Sequence, residues 1–144
     1  MRSLKGKVAL ITGAGRGVGK RLALGFASAG ARVALLARSK AELDLANLEI
    51  EHNGGTSLRL RADVCDYEQL AASVARLMTH FGRLDILVCA AGVQGPLGPF
   101  LDCSAAAWNE TIQTNLIGTA NAVRAVLPLM QARRSGKIIF LGGK

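Results

Sequence analysis

The chain predicts an α/β fold: a doubly wound parallel sheet of five strands in order 3-2-1-4-5. The sheet lies within three α/β/α layers, incomplete at its C-terminal edge, and residues 1–144 form one domain. Three observations carry this prediction. Short apolar runs alternate with helical periods from end to end. Hydrophobic residues make up 50% of the chain and aromatics only 4%, so Val, Leu, Ile and Ala must fill the interior, as in a sheet buried on both faces. Two glycine-rich turns, 13–19 and 92–98, follow the first and fourth strand candidates, where the winding of such a sheet reverses and a ligand binds.

The first strand, 7–12 (KVALIT), runs into glycines at 13, 15, 17 and 19, and the turn opens a helix whose apolar residues are Val18, Leu22, Phe26 and Ala29. A helix N-terminus behind a glycine turn suits a nucleotide's phosphates. Its first N–H groups lack partners, its dipole favours an anion, and glycine keeps Cβ atoms out of the way. The second strand is 32–37 (RVALLA). Ser39 with Glu42 then forms a capping box for a helix near 40–52, which ends at Asn53-Gly54-Gly55. The third strand is 57–62. Asp66 with Gln69 caps the next helix, where Leu70, Val74, Leu77 and Phe81 recur on one face until Gly82. The fourth strand is 84–89 (LDILVC), followed by the loop GVQGPLGPF (92–100). A long helical region over about 104–133 has Leu116, Ala120, Val123 and Leu127 as its face, with Pro128 expected to kink it or end its regular part. The fifth strand is 136–141 (GKIIFL).

The net charge of +8 raises the question of nucleic acid, but the basic residues are scattered and few aromatics are available for stacking, so no nucleic-acid partner is expected. Three cysteines without CxxC spacing or a His cluster argue against disulfides and a metal site and fit a reducing cytoplasm. No run approaches the ~18 apolar residues of a membrane span, and the N-terminal apolar stretch is too short for a signal peptide. His52 and His80 fall at helix C-termini, where the dipole favours them. Trp108, with Ile112 and Leu116, is expected to pack in the core or a helix interface.

TGAGRGVG at 12–19, Asp63-Val64 after the third strand, CAAG at 89–92 and Asn115 within NLIG together resemble the short-chain dehydrogenase/reductase family, from about Lys5 to Leu141. The resemblance implies a Rossmann-type domain and an NAD(P)-dependent oxidoreductase moving a hydride between the cofactor and a small-molecule carbonyl or secondary alcohol. It implies that Gly13, Gly15, Gly17, Val18 and Gly19 form the cofactor turn, braced by Thr12. Asp63 would hold the adenine amine beside Val64, and Ala90, Ala91 and Gly92 would lie near the nicotinamide ribose. Asn115 matches the family's catalytic asparagine, which shapes the long helix and holds a water in the proton relay. At the end of strand 2 the chain reads Leu36-Ala37-Arg38-Ser39 without a carboxylate. Arg38, Ser39 and Arg16 are then available to a 2′-phosphate, so NADP(H) is expected over NAD(H).

Two departures from the family pattern stand out. Cys89 and Ala90 replace the usual asparagines of N-N-A-G, and Cys89 reads as a small, buried, unreactive residue. The family's serine is expected after strand 5, where the chain reads Gly142-Gly143-Lys144, and its Tyr-x-x-x-Lys pair does not occur. The single tyrosine, Tyr67, starts a helix. The expectation is therefore a chain that binds cofactor but does not turn over. Its fifth strand forms an uncovered apolar edge prone to self-association, in a family whose complete members are expected to be homo-oligomers. A catalytically inactive nucleotide-binding module remains an alternative. A methyltransferase-like domain is disfavoured because Ala37-Arg38 occupies the place of its ribose-binding acid.

Overall fold

The computed structural model describes residues 3–142 and contains one parallel five-stranded sheet in order β3-β2-β1-β4-β5. The strands are β1 (Val8–Thr12), β2 (Arg32–Ala37), β3 (Thr56–Arg61), β4 (Ile86–Cys89) and β5 (Lys137–Phe140). The helices are α1 (Gly17–Ser28), α2 (Lys40–His52), α3 (Tyr67–Phe81), α4 (Ala105–Ile112) and α5 (Gly118–Ala132). A single 3-10 turn, Phe100–Asp102, precedes α4, and a π turn, Gln113–Ile117, joins α4 to α5. The strands match the sequence expectations to within two residues at either end, and the order is the one expected.

Alternation along the strands sorts the core into two faces. Val8, Leu10, Ala34, Leu36, Leu60 and Leu87 point towards α3 and α5, where Leu70, Leu77, Ala122 and Val126 meet them. Ala9, Ile11, Val33, Leu35 and Val88 point the other way, onto Ala23 of α1 and Leu43, Ala46 and Ile50 of α2. Every residue of β1 is buried, as expected of the central strand from which both halves wind.

At the amino ends of these strands, Asp85 fastens the sheet. Its carboxylate accepts from the Val8 N–H at 2.9 Å and from Arg83 at 2.8 and 2.9 Å, and Arg133 approaches to 3.4 Å. Burial alone would raise the Asp85 pKa, but the Arg83 bonds, the Val8 N–H and the charges of Arg83 and Arg133 outweigh it and hold the group at about 2.

The region after β4 departs most from the sequence expectation. The face Leu116, Ala120, Val123, Leu127 is largely outward, with Leu116 63% exposed and Leu127 38%. The stripe that packs inward is Thr114, Gly118, Ala122, Val126 and Met130. Small residues win because the helix approaches closely: a Cβ on Gly118 would lie 2.5 Å from a Val64 methyl. The π turn also inserts a residue, so the apolar period read across 104–133 loses phase at Gln113–Ile117. Pro128 does not end the helix, which runs on to Ala132. Trp108 and Ile112 are surface residues, with Trp108 lying against the Phe100 ring at 5.7 Å between centroids. Val18, read as part of the apolar face of α1, is 61% exposed and borders the cleft described next.

Candidate functional site

A cleft of about 440 Å³ opens at the carboxyl ends of β1, β2 and β4, where the winding reverses. Of the sequence-predicted residues, Gly13, Gly15, Arg16, Gly17, Val18, Gly19, Arg38, Ser39, Asp63, Val64, Ala90, Ala91 and Gly92 line it. Thr12 and Asn115 stand just behind. Six further lining residues are not among the site residues the sequence predicts: Leu36, Ala37, Glu42, Ala62, Val93 and Thr114.

Each glycine of the first turn has a distinct physical reason. Gly13 has φ +66°, and a Cβ there would lie 2.7–2.8 Å from the Ala90 carbonyl oxygen and the Ala91 backbone. A Cβ on Gly19 would lie 2.2 Å from the Gly13 carbonyl oxygen, so this glycine lets α1 press onto the turn. Gly17, at φ +57°, has nothing within 4 Å of that position and faces open cleft. The helix that starts there has no side-chain cap at Arg16 and no acidic residue in its first turn. Its first backbone bond is Lys20 N–H to the Arg16 carbonyl at 3.2 Å. The preceding N–H groups and the positive end of the dipole are therefore available to an anion in the cleft.

Thr12 works across the sheet rather than within its own turn. Its Oγ1 accepts from the N–H groups of Ala90 and Ala91, both at 3.1 Å, and donates to the Val88 carbonyl at 3.5 Å. The hydroxyl thereby fixes the strand end where Cys89 and Ala90 offer no polar side chain. Cys89 itself is buried, and burial pushes its thiol up to about 11, so it is held as a neutral thiol.

Asn115 sits in the π turn and grips the second glycine turn: its Oδ1 accepts from the Val93 N–H and its Nδ2 donates to the Val93 carbonyl, each at 2.8 Å. Asp63 is held from two sides. Its N–H donates to Gln69 Oε1 at 3.0 Å, and its Oδ1 accepts from the Cys65 N–H at 2.9 Å. The Cys65 thiol, near Asp63 and Thr114, is raised chiefly by burial. Gln69 does more than the capping its spacing predicts: its N–H donates to Asp66 Oδ1 at 3.1 Å and its Nε2 to Asp66 Oδ2 at 2.9 Å, which turns its Oε1 towards the Asp63 N–H.

The charged rim is the part of the site that sequence reasoning described least completely. Arg38 Nη1 lies 4.0 Å from Asp63 Oδ2, and Arg16 Nε lies 4.0 Å from Glu42 Oε1. Both guanidiniums are more than half exposed and free to swing into the cleft. Arg61 Nε donates to the Arg38 carbonyl at 3.1 Å and steadies the turn after β2.

Comparison with known proteins fits this arrangement. A family profile described as short chain dehydrogenase matches residues 7–143. The chain belongs to the short-chain dehydrogenase family. It is 42% identical over 141 residues to the oxidoreductase UcpA of Salmonella typhimurium, covering 98% of this chain and 53% of that protein. Among solved structures, a metagenomic short-chain oxidoreductase in complex with NADP superposes with a TM-score of 0.88 at 36% identity, over 94% of this chain and 62% of that one. A 7α-hydroxysteroid dehydrogenase complexed with NADH and 7-oxo glycochenodeoxycholic acid gives 0.91 at 33% identity, over 98% and 55%. The chain spans about half the length of the relatives it matches. Gly142 closes the described residues, so the expected serine station at 142–144 lies mostly outside them. No helix among the described residues is long and apolar enough to cross a membrane.

Proposed function

We propose that residues 1–144 form one nucleotide-binding domain serving an oxidoreductase that moves a hydride between NADP(H), in preference to NAD(H), and a small-molecule carbonyl or secondary alcohol. The observation that carries the reading is the uncapped N-terminus of α1 opening onto a cleft in which Gly17 leaves its Cβ space empty. A dinucleotide's pyrophosphate fits there by charge and by room. The nicotinamide cofactor supplies the hydride when bound. The chain's residues bind and orient it. Arg16 and Arg38 flank the adenosine ribose with Ser39, Asp63 and Val64 border the adenine, and Ala90, Ala91 and Gly92 line the nicotinamide side. Asn115 acts as a positioning residue by fixing Val93.

Within these residues the single tyrosine, Tyr67, does not line the cleft. The expected behaviour of residues 1–144 on their own is therefore cofactor binding without carbonyl reduction, a missing general acid costing ~10²–10⁴ in rate. A cytoplasmic location fits the three unpaired thiols. Self-association in a homo-oligomeric setting fits the exposed Leu116, Leu127 and Phe140.

The test is fluorescence titration of the 144-residue chain with NADPH and NADH, alongside Arg38→Ala. The expected result is tighter NADPH binding in the parent, reduced in the variant by about tenfold as a charge-assisted contact is lost, with NADH nearly unaffected. A preference for NADH that survives Arg38→Ala overturns the cofactor assignment. NADPH-dependent reduction of a carbonyl by these residues alone overturns the expectation of inactivity.

A further inference from the structure

The end of β2 carries no carboxylate, yet the cleft is not free of one at that place. Glu42, in the first turn of α2, lines the cleft beside Gly15, Arg16 and Ser39. Its backbone N–H is bonded by Ser39 Oγ at 3.3 Å, but the return bond of a capping box, from the Ser39 N–H to the Glu42 carboxylate, is absent among the described residues. The carboxylate instead lies over the glycine turn. A Cβ on Gly15 would come within 2.8 Å of Glu42 Oε2, so the missing side chain there is what admits it. Its cation is Arg16, at 4.0 Å and without a hydrogen bond.

We propose that Glu42 is a selectivity-setting residue of this cleft, acting against the 2′-phosphate of NADP(H) and in favour of the free ribose hydroxyl of NAD(H). This inference rests on the nucleotide-binding reading given above. A phosphate arriving between Arg16 and Arg38 meets the like charge of Glu42 and must take Arg16 from it, whereas a ribose hydroxyl can donate to the same carboxylate. The preference conferred by Arg16 and Arg38 is thereby smaller than those two residues alone would give.

The experiment compares the parent chain with Glu42→Gln and Glu42→Ala, titrated with NADPH and with NADH at low and high salt. Far-UV circular dichroism checks folding, and the backbone bond to Ser39 is retained in both variants. The expected result is an NADPH/NADH affinity ratio raised about tenfold in both, equivalent to about 1.4 kcal/mol. The gain should fall on NADPH and shrink at high salt. A ratio unchanged within twofold in both variants, with the parent still binding NADPH, overturns the role of Glu42 and leaves the nucleotide-binding reading standing. A parent chain that binds neither cofactor overturns both.

Discussion

Gly13 and Gly17 have nearly the same backbone conformation, φ +66° and +57°, yet replacing them should have opposite consequences. Any L-residue at either position carries a left-handed penalty of roughly 1–2 kcal/mol. At Gly17 that penalty is the whole cost to folding, because an alanine Cβ meets nothing within 4 Å. The same Cβ would stand in the cleft before the α1 N-terminus, so Gly17→Ala should fold and bind nucleotide weakly. At Gly13 the Cβ would press to 2.7 Å on Ala90 and Ala91, which are backbone atoms fixed by Thr12 and cannot rotate away. Overpacking adds roughly 1–3 kcal/mol, for a total of about 2–5 kcal/mol. Such a loss is a large part of the stability of a domain this size. Gly13 is thus a packing glycine and a poor probe of phosphate binding; Gly17 is the informative one. Urea denaturation would give the stability change and NADPH titration the affinity. A Gly13→Ala variant as stable as the parent, or a Gly17→Ala variant that binds like the parent, would refute the reasoning.

Asp85→Asn should cost roughly 2–3 kcal/mol near neutral pH, since a carboxyl held at about 2 against an ordinary 3.8 is stabilised by nearly two pH units in the folded state. That contribution is fully present above pH ~4 and fades as pH falls towards ~2, so the melting temperatures of parent and variant should converge in acid; a gap constant with pH would contradict the linkage. Asn115→Ala removes both bonds to Val93 and should loosen residues 92–98, raising their amide exchange while β1 and β2 stay protected. Uniform exchange across the chain would show that Asn115 does not act through this loop.

The fold was legible because its signals were redundant. Each strand of the central trio is a continuous apolar run, and each turn carries a glycine or a capping residue that fits one geometry only. Ser39 and Asp66 cap α2 and α3 as their spacing suggests. The long helical region was not legible, because it carries two apolar stripes. Periodicity ranks them by hydrophobicity and chose the Leu-rich one. Packing ranks them by how closely the backbone can approach, and Gly118 and Ala122 decide that. A π turn leaves no trace in hydrophobic spacing except a lost phase, which resembles noise in a short helix.

Glu42 shows where reading along the chain fails at a site. The acid that discriminates between nicotinamide cofactors is sought at the end of β2, where its absence is plain at Ala37-Arg38. Glu42 lies four residues past Arg38, in a position fully explained as the third residue of a capped helix, so nothing called for a second role. Three facts of geometry supply one. Ser39 is satisfied by the backbone N–H alone, which leaves the carboxylate uncommitted. Gly15 vacates the space over the turn. Arg16, set at the start of α1, draws the carboxylate towards the cleft and is itself the cation a phosphate would need. A strand-end motif describes one direction of approach to the ribose, whereas the cleft is walled on a second side by the first turn of α2. Charge in a nucleotide site must therefore be counted over the cleft's surface, and counted that way Arg16 and Arg38 are set against Glu42 and Asp63.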